Sequence, residues 1–231
     1  MTRTGKVQYF ESEGREHLPL VIKSIKAYLR ALEVSGSSYP NKIVFMTRQG
    51  EGPMLAYNHL QSFNVKIIAV TFPRGYASKN ADGSRFQPEI PEKVRQFFNG
   101  VRIPIITNRL PFESIAGADA HNREMSLLTD AMSLFGGSAP LAIQAVLQAV
   151  EAGEIDMSEE VIAATGDMAL LVTASNTRMF LRPDRWGLSV NEIICKPRLL
   201  TRTRKLPTVE SPTTIALDAP AEITPKIVQG N

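Results

Sequence analysis

Apolar side chains near the amino terminus recur at helical spacing, which predicts a helix. Its apolar positions are Leu18, Val21, Ile22, Ile25, Tyr28, Leu29 and Leu32. A β-rich run at 6–10 precedes it, and two continuous apolar runs follow at 42–46 and 65–71 with a helix expected over 54–63 between them. Continuous apolar runs of this length are typical of strands buried on both faces of a parallel sheet. Strands and helices in this order predict a doubly wound α/β fold.

The remainder of the chain continues the alternation after one long irregular segment. Residues 72–91 carry Gly, Ser, Asn, Asp and Pro without periodicity, and we interpret 72–87 as a candidate lid. Pro104 predicts an edge position for the strand that contains it. The predicted helices lie at 91–98 and in two segments within 122–151, and the predicted strands at 101–106, 160–164, 168–173 and 190–195.

The break between the last two helical segments falls at residues 136–140, where Ser138 is placed to cap the second helix. That helix is apolar on nearly every side, which predicts a buried central helix. After Leu199 the chain becomes rich in proline and poor in large apolar residues. We therefore divide it into a domain at 1–198 and a flexible tail at 199–231.

Composition places the chain among ordinary globular proteins. Its 231 residues are 43% hydrophobic and 21% charged, so one α/β domain can form a core without disulfides. Cys195, the single cysteine, lies in an apolar run and is expected to act as a small buried hydrophobe rather than a nucleophile. The sequence shows neither a secretion signal nor an apolar run long enough to span a bilayer, so we expect a cytoplasmic protein with no membrane partner.

The net charge of +3 reflects a basic cluster where the tail begins. The cluster consists of Lys196, Arg198, Arg202, Arg204 and Lys205. Such a cluster can contact an acidic partner or nucleic acid. No aromatic residue is interleaved with it to stack on bases, so a solvated linker is the preferred interpretation and nucleic-acid binding is not expected.

Most recognised catalytic patterns are missing from the sequence. His17, His59 and His121 are far apart and lack an i, i+4 partner, so no metal site is predicted. No convincing set of acid, base and nucleophile is present either. Whether the protein is an enzyme is therefore left open.

The residues that do suggest a ligand come directly after two of the predicted strands. Thr47, Arg48, Gln49 and Gly50 follow the first, and Thr71 and Arg74 follow the second. Loops at the carboxyl ends of parallel strands line ligand crevices, and a helix starting near Gly50 offers backbone N–H groups to an anion. The pattern favours phosphate. The alternative is a tight glycine turn flanked by solvated arginines.

Two further segments border the same predicted edge. Gly14 and Arg15 lie in the first loop, where they would close the opposite wall, although interaction with the helix dipole explains Glu16 beside them equally well. Asn176, Thr177 and Arg178 follow another strand and are either ligand contacts or turn formers.

Two consecutive strand segments carry a family resemblance. Residues 42–50 and 65–71, with the loop Thr47-Arg48-Gln49-Gly50, resemble the C-terminal α/β domain of pyruvate kinase, and more closely the stand-alone pyruvate kinase alpha/beta domain proteins. Similar segments occur at 9–10, 14–16, 133–136, 159–163 and 192–198. The resemblance covers residues 5–198.

The resemblance implies a three-layer α/β/α sandwich without the catalytic barrel, so pyruvate kinase activity is not expected. In pyruvate kinases the matching Thr-x-x-Gly loop belongs to an allosteric sugar-phosphate site. A phosphate-bearing ligand is implied for the pocket, with flavin mononucleotide (FMN) as one candidate, and Gly166 joins the site through a shortened glycine-rich segment at 164–169. Relatives have Gly-Asp-Thr where this chain has Gly50-Glu51-Gly52-Pro53, which leaves an acidic group in the loop.

Three functions are therefore compared. The first is a sensor or accessory domain that binds a phosphorylated small molecule. The second is an enzyme, flavin-dependent or other, that uses the same pocket under the lid. The third is an interaction protein acting through its basic tail. Ala-rich helices and the apolar last strand also predict a homo-oligomer.

Overall fold

A computed structural model describes residues 6–79, 84–112, 123–184 and 186–200. The strands are β1 (Gln8–Ser12), β2 (Lys42–Met46), β3 (Lys66–Thr71), β4 (Ser78–Lys79), β5 (Arg85–Phe86), β6 (Ile105–Thr107), β7 (Glu160–Ala164), β8 (Ala169–Thr173) and β9 (Ser189–Leu199). The helices are α1 (Leu18–Val34), α2 (Glu51–His59), α3 (Glu92–Gly100), α4 (Arg123–Ser133) and α5 (Ala139–Glu151). A short 3-10 turn, Arg15–His17, leads into α1.

Seven strands form one sheet in the order β1-β9-β8-β7-β2-β3-β6. All of them run parallel except β8, which is antiparallel to both neighbours. The strand containing residues 105–107 lies at the edge, as Pro104 predicted. The carboxyl ends of β1, β2, β3, β6, β7 and β9 therefore meet at one edge of the sheet, which we call the carboxyl edge, and the opposite one the amino edge.

Helices pack on both faces of the sheet because alternate strand residues are apolar on both. On one face Ile43 and Phe45 join the buried side chains of α1, α2 and α3. On the other face Val44 and Met46 pack against α5. The alanines of α5 that face the sheet are Ala139, Ala142, Ala145 and Ala149. The α/β class, the mostly parallel sheet and the buried central helix are thus confirmed.

Several boundaries differ from those that the pattern predicted. The second helix starts at Glu51, not Met54, since Gly50 adopts a left-handed conformation that ends the loop. The irregular segment 72–91 contains an antiparallel pair, β4 and β5. The last strand extends to Leu199 because it pairs with β1 along that length. Such pairing depends on contacts distant in sequence.

Some residues with predicted roles are outside the part of the chain that the structure describes. His121 and residues 201–231, which include most of the predicted tail and its basic cluster, are outside the described residues. None of the helices in the described ranges combines the length and hydropathy needed to cross a bilayer.

Candidate functional site

The ends of β2 and β3 bring the two predicted threonines to the same rim. Met46 is paired with Val70 across the two parallel strands. The Thr47 N–H extends the ladder by donating to the Val70 carbonyl across 2.9 Å. Thr47 and Thr71 are both buried. The predicted neighbourhood of the two loops is therefore present.

The β2–α2 loop closes around a carboxylate from its own helix. The Thr47 hydroxyl donates to Glu51 Oε2 across 3.2 Å, and the Gln49 N–H donates to the same oxygen across 3.1 Å. The Gly50 N–H in turn donates to Thr47 Oγ1 across 3.0 Å. Glu51 is exposed. The loop thus binds an anionic group with the donors predicted to hold phosphate, and Glu51, which sequence reasoning noted only as an acidic remnant, is that group.

Gly50 lets this loop approach a neighbouring helix. Its φ of +93° lies in the left-handed region, and a Cβ there would lie 2.7 Å from Val94 Cγ1 and 3.1 Å from Phe98 Cζ. Side chains rarely adopt this conformation. The glycine is therefore required by both backbone and packing, independent of any ligand.

The Arg48 side chain lies over an aromatic ring of the candidate lid. The Arg48 guanidinium carbon lies 4.7 Å from the centroid of the Phe86 ring, a cation–π arrangement with β5. The Thr71 hydroxyl is directed to the carbonyls of Arg48, at 3.5 Å, and Pro88, at 3.4 Å. Arg74 is exposed in the loop after β3. Thr47 and Gln49 supply the hydroxyl and the backbone N–H that contact the Glu51 carboxylate in this loop.

A second polar cluster joins the first loop to the turn between β7 and β8. The Gly14 N–H donates to Asp167 Oδ2 across 3.0 Å. The hydroxyls of Ser138 and Thr165 donate to Asp167 Oδ1, and the Thr165 hydroxyl also lies 2.8 Å from Ser138 Oγ. Ser138 begins α5, but its hydroxyl makes no capping bond. Its predicted cap role is wrong because Asp167 takes the hydroxyl instead.

Gly14, Arg15 and Gly166 are brought together as predicted. A Cβ on Gly166 would lie 3.0 Å from Arg15 Cα, so the two backbones are in direct contact. The Glu16 side chain folds over Gly14. Because Ala164 pairs with Phe45, the β7–β8 turn and the β2–α2 loop are neighbours on the carboxyl edge.

Sequence reasoning missed Asp167, Thr165 and Ser138 as members of this cluster. The only signal was the short polar turn Thr165-Gly166-Asp167 between two strands. Their connection to Gly14 required the pairing of β1 with β9, which sequence spacing does not reveal.

The predicted group at 176–178 lies elsewhere. Since β8 runs antiparallel, its carboxyl end reaches the amino edge, away from Thr47. Asn176 Oδ1 accepts a hydrogen bond from the Met179 N–H across 2.9 Å. The turn-forming interpretation of Asn176 is therefore confirmed.

Cys195 is fully buried on β9. Desolvation by burial raises the pKa of its thiol to about 12, even though a hydrogen bond with Ser24 acts in the opposite direction. A thiol with such a pKa is protonated at neutral pH and a poor nucleophile. The expectation of a buried cysteine is confirmed. Among the described residues, no three His, Cys, Asp or Glu side chains are arranged to hold a metal ion.

Comparison with models of known protein families yields no match, and no curated protein is significantly similar to this chain. The resemblance to the pyruvate kinase C-terminal domain thus depends on the segments quoted above.

Proposed function

We propose that the protein binds a phosphorylated small molecule at the carboxyl edge of its sheet, as a sensor or accessory domain without pyruvate kinase activity. The observation that carries the proposal is the contact of Glu51 with Thr47 and Gln49, since the loop already holds an anionic group through a hydroxyl and a backbone N–H. A phosphate oxygen makes the same contacts. Because Glu51 is exposed, it can leave this position without exposing buried apolar surface.

The remaining parts of the edge would contact the rest of the ligand. Arg48 is exposed beside the loop, and its guanidinium rests on Phe86 at the base of the candidate lid. Arg15 is exposed beside the neighbouring β7–β8 turn, where its backbone contacts Gly166. Two exposed arginines at this edge favour a ligand with negative charge. The resemblance to pyruvate kinase suggests a sugar phosphate or FMN.

A thermal-shift screen of the full chain tests the proposal. The probes are inorganic phosphate, glucose 6-phosphate, AMP and FMN, with glucose, adenosine and riboflavin as partners that lack the phosphate. A ligand at 100 times its Kd adds about 2.7 kcal/mol of stability, and each kcal/mol raises the Tm by about 2–4 °C in a chain of this size. We expect a rise with a phosphorylated probe and none with its partner. Equal behaviour of each pair, or no rise at all, overturns the proposal.

The alternative function, a flavin-dependent enzyme, uses the same pocket. The colour of the purified protein distinguishes it from the proposed function. A preparation that is yellow, or becomes yellow after incubation with FMN and desalting, supports a flavin ligand. A colourless protein that does not bind added FMN excludes the flavin-dependent enzyme and leaves a sugar phosphate as the ligand suggested by the resemblance.

A further inference from the structure

A cavity of about 570 Å³ opens at the amino edge, far from the β2–α2 loop. It lies where β8 ends and β9 begins, and the paired residues Thr173 and Ser189 form part of its lining. Its other lining residues include Met157, Ser158, Asp184 and Trp186. The volume is within the range typical of small-molecule sites.

The main chain at Trp186 and Leu188 is fixed by several hydrogen bonds. The Leu188 N–H donates to the Phe180 carbonyl across 3.0 Å, which closes the loop at its base. The Trp186 N–H donates to Asp184 Oδ1 across 3.0 Å, and the Trp186 carbonyl accepts from the Ser175 hydroxyl across 2.6 Å. The main chain of Trp186 is therefore held on both sides of its Cα. A site built on fixed backbone loses little entropy when a ligand binds.

Residue 187 must be glycine for the main chain to take this path. A Cβ at this position would lie 2.0 Å from the Arg182 carbonyl oxygen, a backbone atom that cannot easily move. Across the cavity, Ser158 has a φ of +65°, which is uncommon for a residue other than glycine. Its N–H bonds to the Ala174 carbonyl at 2.8 Å. Unusual backbone held in place by its surroundings is frequent at binding sites.

The lining combines an indole with hydroxyl groups. Trp186, the single tryptophan of the chain, is 39% exposed although its backbone is fixed. Ser158, Thr173 and Ser189 supply hydroxyls, which both donate and accept hydrogen bonds. The Thr173 hydroxyl accepts from Asn191 Nδ2 across 2.9 Å and still has a proton to donate. Asp184 supplies a carboxylate, but its Oδ2 already accepts from Arg182 Nε across 3.0 Å. That ion pair offsets its charge, so the described residues of the lining favour a neutral ligand over a cation.

We propose that this cavity binds a neutral polyhydroxylated ring, that is, a monosaccharide unit. The apolar C–H face of such a ring packs on the indole, and its hydroxyls exchange hydrogen bonds with Ser158, Thr173, Ser189 and the free lone pairs of Asp184. This is a second binding function, independent of the anion site at the carboxyl edge.

Tryptophan fluorescence tests the proposal directly, because the full chain has only Trp186 to report. The probes are the methyl glycosides of glucose, galactose, mannose and N-acetylglucosamine, titrated separately, with choline chloride as the cationic comparison. We expect a saturable fluorescence change with at least one glycoside. Saturation-transfer NMR with the same glycoside should show transfer to ring C–H protons.

Two variants and one control locate the binding. Ser189→Phe fills the cavity and keeps the fluorophore, so the saturable change should disappear. Trp186→Ala should weaken binding about tenfold by saturation-transfer NMR, since an aromatic platform is lost. Leu181→Ala, which alters a side chain that is 68% exposed in the same loop but outside the lining, should bind as the unmodified chain does.

Three results overturn the proposal. The first is the absence of a saturable response to every glycoside, and the second is a response to choline alone. The third is glycoside binding that survives unchanged in both Ser189→Phe and Trp186→Ala, each checked by circular dichroism to be folded.

Discussion

The N–H of Gly14 donates to the carboxylate of Asp167 across 3.0 Å, joining the loop after the first strand to the turn between β7 and β8. Asp167 is 8% exposed and receives further hydrogen bonds from Ser138 and Thr165. One side chain thus connects the first loop, the start of α5 and a tight turn. Since Ala164 pairs with Phe45, these segments lie next to the β2–α2 loop at the carboxyl edge.

Asp167→Ala removes the acceptor that these segments share. Because the buried Gly14 N–H and the half-buried Ser138 hydroxyl would lose their acceptor, while the Thr165 hydroxyl keeps Ser138 Oγ, we expect a loss of about 2 kcal/mol in the free energy of unfolding. Urea unfolding followed by circular dichroism measures the change. Asp167→Asn keeps one oxygen acceptor and should lose less. An Asp167→Ala protein as stable as the unmodified chain would show that the cluster contributes nothing to folding.

Glu51→Gln removes the negative charge from the β2–α2 loop while keeping the size of the side chain. If the loop binds phosphate, the loss of a competing carboxylate should tighten the binding of an active phosphorylated probe about tenfold, or about 1.4 kcal/mol. Isothermal titration calorimetry gives the two Kd values. The matched variant Thr47→Val removes a donor and should weaken binding. Weaker binding by Glu51→Gln would contradict the view that its carboxylate occupies the anion position.

Gly50→Ala should destabilise the protein for two reasons. The left-handed conformation costs a non-glycine residue about 1–2 kcal/mol. The new methyl would also press on Val94 and Phe98 in α3. Gly36→Ala is the control, because Gly36 also has a positive φ, +68°, but nothing within 4 Å of the added carbon. Thermal unfolding should show a larger loss for Gly50→Ala, and equal losses would contradict the crowding at α3.

Cys195 predicts a pH dependence of stability. Desolvation by burial raises the pKa of its thiol from its ordinary value of 9.0 to about 12 in the fold. Below pH 9 the thiol is neutral in both states, so its contribution to stability is constant. Between these pKa values only the unfolded chain ionises, and stability should fall by about 1.4 kcal/mol per pH unit from this group.

Urea unfolding from pH 8 to pH 11 measures this effect as a difference between the protein and Cys195→Ala. Lysines and tyrosines titrate in both proteins, so the comparison isolates the thiol. The stability of Cys195→Ala should fall less steeply with pH. Parallel curves would show that burial does not keep the thiol protonated. A thiol reagent at pH 8 should likewise react only after urea is added.

Local patterns were sufficient for most elements. The strand at 42–46 has the predicted bounds because its apolar run is continuous and ends at polar residues on both sides. The buried helix α5 was also evident, since no side of it is polar enough to face water. The start of α2 was misplaced because Gly50 and Pro53 are read as loop residues unless the left-handed turn before the helix is known.

Only part of the candidate site could be predicted from the sequence. Thr47, Gln49 and Gly50 follow a recognisable strand, so their grouping at its carboxyl end follows from the sequence alone. Asp167 carried no such signal. Its partner Gly14 is 153 positions away, and the two meet only because β9 lies between β1 and β8.

The sequence by itself determined the α/β class, the buried strands and the central helix, because periodicity of apolar residues is a local property. Only the tertiary structure decided strand order, the antiparallel direction of β8 and the position of residues 176–178 at the amino edge. It also decided that Glu51 turns back onto Thr47 and that Trp186 borders a cavity. Those outcomes depend on which distant segments pack together, and that choice follows from the free energy of the whole core rather than from any one stretch of chain.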